Sequence, residues 1–194
     1  MKKIVVCALL VSFALCVSGE GFAEEEKQKS LEAIEFLTGF GWGKLRTKGN
    51  HHLYPFSVGL DFNLKPLTQK INFYPASLLQ FQIEPYMSYI AEPESNFEAG
   101  TSFFLKVGVL PQTSKFQPYV KAGTGFSYMT IQTREQATQF NFISSGGIGM
   151  HYFFTEKCAF TLEGRYRHLS NASIDHPNSG INTAFILAGV SIQY

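Results

Sequence analysis

In Tyr54-Pro55-Phe56-Ser57-Val58-Gly59-Leu60-Asp61-Phe62-Asn63-Leu64 every even position is apolar or aromatic, and most odd ones are small or polar. Successive side chains of a strand point to opposite sides, so this run has one greasy face and one that is not. Similar runs recur at about 34–45, 53–64, 78–91, 97–110, 116–130, 139–154, 157–170 and 182–194. That is about eight segments of roughly ten or more residues, the length a tilted strand needs to cross a bilayer. Turn signals separate them, as in Lys48-Gly49-Asn50, Glu92-Pro93-Glu94-Ser95-Asn96 and Pro111-Gln112-Thr113-Ser114-Lys115.

Which face meets lipid follows from the small residues. Gly39, Gly41 and Gly43 fall opposite Phe36, Phe40 and Trp42, and Gly123 and Gly125 fall opposite Val120, Phe126 and Tyr128. A narrow barrel fills its lumen with side chains, and small ones relieve crowding there. A soluble lipocalin-like barrel would reverse the pattern, with its apolar residues inside. Aromatics at 15% and charged residues at only 16% suit strands facing lipid. Beyond the N-terminal leader no run of about 18 apolar residues occurs, which excludes a transmembrane helix. The expected fold is all-β, an eight-stranded antiparallel transmembrane β-barrel. The last strand agrees, with Ala188, Val190, Ile192 and Tyr194 on one face. Its aromatic end resembles the assembly signal of bacterial outer-membrane barrels.

The first residues set the compartment. Met1-Lys2-Lys3 is a short positive start, and Ile4 to Val17 is an apolar run of signal-peptide length. Gly21-Phe22-Ala23 offers small residues where a signal peptidase reads, so the cut is expected after Ala23, with Gly19 as second choice. Leu15 is too bulky for a lipoprotein reading of Cys16. The expected organisation is a signal peptide over 1–23 and one barrel domain over 24–194. Cys7 and Cys16 fall in the leader, which leaves Cys158 alone in the mature chain as a small apolar residue rather than a catalytic thiol. A net charge of +1 implies no nucleic-acid partner. Glu24-Glu25-Glu26 reads as a solvated mature N-terminus.

An even-stranded barrel of this kind has both termini in the periplasm, so the loop at about 171–181 is expected outside the cell. His168 and Ser170 end the strand before it. Along that strand Thr161, Glu163, Arg165 and Arg167 occupy odd positions. Lipid does not accept such a row, so it points inward. His168 and Ser170 then face outward beside the outer leaflet. Residues i and i+2 on one strand face are about 6–7 Å apart at the backbone. From there an imidazole can take the proton of a serine hydroxyl during attack on an ester. His-x-Ser alone is a weak motif, since such pairs are common at strand ends.

The run from Glu163 through Asn182 resembles the C-terminal signature of the lipid A 3-O-deacylases, the PagL family of outer-membrane esterases. The matching residues are His168, Ser170, Asn171, Ala172, Ile174, Pro177, Asn178 and Gly180. The resemblance implies an eight-stranded barrel with a lipid-facing catalytic pair, His168 as general base and Ser170 as nucleophile. It implies lipid A, in lipopolysaccharide of the outer membrane, as substrate, with no cofactor and no metal. The family pattern has Glu where this chain has Asn182. Asn orients an imidazole by hydrogen bonding, as in papain-like sites, but adds no charge, and Asn for Asp in a serine-protease triad costs about 10⁴ in rate. Groups near Asn171 and Asn178 are the expected oxyanion donors. A homodimer is left open.

Other features read as structural. Glu84, Lys121, Glu163, Arg165 and Arg167 are expected as a lumen charge network, since a barrel of this size leaves no pore. Trp42, Tyr152, Phe153 and Phe154 read as interfacial girdle residues. His51-His52 is expected in the first extracellular loop, without a third ligand at zinc-like spacing. Asp175-His176 reads as a solvated loop pair. Two rival functions remain: a structural or adhesive barrel that lost its activity, and a calcium-dependent phospholipase or acyltransferase of the same leaflet.

Overall fold

The computed structural model describes residues 30–194. The expected leader, Glu24-Glu25-Glu26, Cys7 and Cys16 lie outside the described residues. The strands are β1 Leu31–Leu45, β2 Gly49–Asn63, β3 Ser77–Glu92, β4 Asn96–Pro111, β5 Phe116–Met129, β6 Phe140–Phe153, β7 Cys158–Ser170 and β8 Ile181–Gln193. Each pairs antiparallel with its sequence neighbours, and β1 pairs with β8, so the sheet closes into an eight-stranded barrel. Closure satisfies every strand edge, which a sheet crossing lipid requires. Among the described residues no helix is long and apolar enough to cross a membrane.

The alternation sets the faces as expected. On β7, Thr161, Glu163 and Arg167 are buried while Phe160, Leu162 and Tyr166 are exposed. Inward charges from several strands then meet. Lys121 Nζ lies 3.0 Å from Glu84 and 2.9 Å from Glu163, and Arg165 bridges the same two carboxylates at 2.5 and 2.7 Å. Arg167 binds Glu98 at 2.6 Å. Lys106, set between Asp61 at 3.1 Å and Glu35 at 3.5 Å, extends the network beyond the residues expected from sequence. Strand parity tells which charges point inward; which of them meet depends on the stagger of the strands.

Toward the rim that carries loops 46–48, 93–95, 130–139 and 171–180, the lumen becomes apolar. Leu45, Leu53, Ile90, Ile143, Leu169 and Ile181 pack there in one buried cluster. Gly41 shows why that end needs a glycine: a Cβ would come within 2.6 Å of Leu53 Cδ1 and the Phe185 ring. Gly123 has a different reason, because a Cβ there would strike the backbone carbonyl of Phe103 on β4.

Some expectations need correction. β2 begins at Gly49, so His51 and His52 belong to that strand and not to a loop. Gly49, with φ +81, allows a turn tight enough for the ladder to resume at Leu45 opposite Gly49. His51 is buried in the lumen, and His52 faces outward with Nδ1 3.1 Å from Glu92. Trp42, Tyr152 and Phe154 are exposed on the outer wall, but Phe153 has inward parity and is buried. Cys158 is buried at the start of β7. A helix of five residues, α1 Lys65–Gln69, interrupts the β2–β3 connection, with Pro66 in its first turn.

Candidate active site

The outer wall at the rim is assembled by register. Ser144 on β6 pairs with His168 on β7, and His168 pairs with Asn182 on β8. All three are at even positions and therefore face outward. Between His168 and Ser170 sits Leu169, fully buried in the apolar cluster, which fixes the strand's rotation and turns its two neighbours outward. Ser170 lies opposite Phe142, one step nearer the rim. His168 and Ser170 are both half-buried, reachable from the lipid side and shielded by their neighbours.

His168 Nδ1 is 2.7 Å from Asn182 Oδ1. A side-chain carbonyl only accepts, so Nδ1 carries the proton and Nε2 is left with the basic lone pair. Gly180 makes room for this ring. Its φ of +77 suits glycine, and a Cβ there would collide with the imidazole.

The loop after β7 is fastened by its asparagines. Asn178 Oδ1 accepts the backbone N–H of Asn171 at 3.0 Å. Asn171 Nδ2 donates to the carbonyl of Asp175 at 2.9 Å, and its Oδ1 accepts from Ser173 N at 3.0 Å. Buried Asn171 thus spends both its backbone and side-chain donors inside the loop. Asn178 Nδ2 is only weakly engaged, 3.5 Å from Ser173 Oγ. Asp175 Oδ1 accepts from His176 N at 2.7 Å, next in the loop.

Sequence reading missed the loop that buttresses this one. Gln136 Nε2 donates to the carbonyl of Leu169 at 3.2 Å, Ser179 N to that of Glu135 at 2.9 Å, and Ala137 N to that of Pro177 at 2.9 Å. Glu135 also accepts from Arg46 N at 2.5 Å, tying both loops to the β1–β2 turn. Only a polar, glycine-free stretch, Thr133-Arg134-Glu135-Gln136, hinted at a structured role.

The family profile described as lipid A 3-O-deacylase (PagL) matches residues 54–191, more than half of the chain. The chain belongs to the PagL family. Among solved structures, the outer-membrane enzyme PagL matches with TM-score 0.61 at 15% identity, covering 82% of this chain and 98% of that one. Neisserial surface protein A matches with TM-score 0.59 at 12% identity, covering 84% and 96%. At such identities the two structures support the barrel fold alone. No curated protein sequence matches this chain significantly. The PagL-family profile spans β2 through β8 and so contains His168, Ser170 and Asn182 together. As a member of this family, the chain is an outer-membrane β-barrel.

Proposed function

We propose that this PagL-family barrel is a lipid A 3-O-deacylase that works as a serine esterase at the outer leaflet. The observation that carries the reading is the 2.7 Å bond from His168 Nδ1 to Asn182, which leaves Nε2 as a base on the face shared with Ser170. Ser170 Oγ attacks the ester carbonyl while Nε2 takes its proton. The tetrahedral intermediate collapses, and His168 returns the proton to the sugar oxygen that leaves. Water, deprotonated by the same nitrogen, then releases the acyl group as a fatty acid. Asn182 holds the ring's tautomer and orientation.

Of the two expected oxyanion donors, Asn178 has the more available amide, since its Nδ2 is only weakly engaged while the donors of Asn171 are spent in the loop. Asn171 then acts by holding the loop. The outer wall below the pair suits an acyl chain. Gly164 lies between Ile148 and Ile186 in register, with Tyr166 above it, and a Cβ at Gly164 would meet nothing within 4 Å. A notch with apolar sides lets the chain stay in its leaflet during the reaction.

Ser170→Ala and His168→Ala should each reduce acyl release from purified lipid A by about 10³-fold or more, and the double variant should be hardly worse than either. Groups acting as one unit are not additive. Both sites lie at the rim, so the barrel should still fold. Activity retained in Ser170→Ala would remove the serine mechanism.

A further inference from the structure

The outward row that holds the base continues onto β1 and β2. Gly43 pairs with Thr183, so the next residues toward the rim, Lys44 and Asn182, stand side by side. Lys44 in turn pairs with Asn50. The row reads Ser144, His168, Asn182, Lys44, Asn50 across five adjacent strands, and no carboxylate belongs to it. Lys44 and Asn50 are exposed. Trp42, one step lower on the same face of β1, is also exposed and sets the level of the apolar wall.

We infer that Lys44 and Asn50, with the Nδ2 group of Asn182, form a phosphate-binding subsite for the substrate headgroup. The inference rests on the deacylase reading above. Asn182 spends its oxygen on His168 and keeps an amide that only donates. Neighbouring strands are about 4.8 Å apart, so the Lys44 backbone is roughly 10 Å from that of His168. A lysine side chain spans much of that distance. A phosphate on the sugar that bears the scissile ester therefore falls within its reach. Arg46, the next cation along the chain, sits in the β1–β2 turn beyond the row, and Lys48 in the same turn is engaged by Glu94.

The subsite also gives the departure at Asn182 a consequence. A glutamate there would put a carboxylate beside Lys44 and compete with the phosphate for its ammonium. Asparagine trades charge on the imidazole for a cation left open to substrate.

The test is a binding measurement that does not need turnover. Ser170→Ala protein in zwitterionic detergent is titrated calorimetrically with lipid A carrying, or lacking, the phosphate on the ester-bearing sugar. Loss of that phosphate should weaken binding about tenfold, as expected for a charge-assisted hydrogen bond at a partly exposed site. Adding Lys44→Gln should abolish the difference, and Lys48→Gln should leave it intact. Asn182→Glu in the same background should also reduce it. An undiminished phosphate preference in Lys44→Gln, or none in the parent, would overturn the inference. Acyl release by the wild-type protein tests the deacylase reading separately.

Discussion

A carbonyl oxygen 2.7 Å from His168 Nδ1 orients the ring without lending it a full charge. In the proposed mechanism the imidazolium formed during attack would thus be stabilised by a dipole, and orientation would account for most of what Asn182 contributes. Asn182→Ala should lower kcat by about 10²–10⁴ with little change in KM. Asn182→Glu should keep or raise kcat, because a carboxylate adds charge stabilisation to the same contact, while KM for phosphorylated lipid A rises as Lys44 is neutralised. Steady-state kinetics on both variants separates the two effects. Wild-type rates from Asn182→Ala would mean that another residue holds the histidine. Parity alone put His168, Ser170 and Asn182 on one face, and the structure keeps them there. The roles of Asn171 and Gly180 were not legible in the same way. They depend on left-handed backbone at Ala172, Ser173 and Gly180, and a loop has no period from which to read it.

At the scale of strands and loops, two features hold the rim in shape: the buttress from loop 130–139 and the ion network beneath it. In the network, Glu163 takes Lys121 at 2.9 Å, Arg165 at 2.7 Å and the Tyr119 hydroxyl at 2.8 Å, with its side chain fully buried. Removing one partner of a buried ion pair leaves the other without compensation. Glu163→Ala should therefore destabilise the barrel by about 3–5 kcal/mol, although Glu163 never meets lipid A. Urea unfolding in detergent, followed by the shift in midpoint at constant slope, measures this. A cost below about 1 kcal/mol would show the network to be replaceable. Five members of this network were expected in the lumen from the sequence, and for Glu163, Arg165 and Arg167 the ground was their shared parity on one strand. Lys106, Asp61, Glu35 and Glu98 escaped because the contacts between strands are set by stagger, which a single strand's pattern does not encode. The start of β2 was missed for a related reason: His51 and His52 are both polar, so the alternation that marks the rest of the strand fades there.

For the molecule as a whole, the closed barrel places a polar network in the lumen and an apolar wall outside. Between Ser57, Glu84, Tyr86, Arg165 and Arg167 a cavity of about 20 Å³ remains, room for about one water. The lumen is a packed core at this level, and the proposed chemistry uses the outer wall, where an amphiphile would meet His168 without leaving its leaflet. Lipid A composition in cells tests that arrangement most directly. Mass spectrometry would compare lipid A from cells producing the wild-type protein with that from cells producing Ser170→Ala. Equal amounts of folded barrel in the outer membrane, judged by heat-modifiable migration, are the control. The wild-type protein should yield lipid A lighter by one ester-linked acyl chain, and Ser170→Ala should yield none of it. Unchanged lipid A in the presence of folded wild-type barrel, or the same lighter species from Ser170→Ala, would contradict the account.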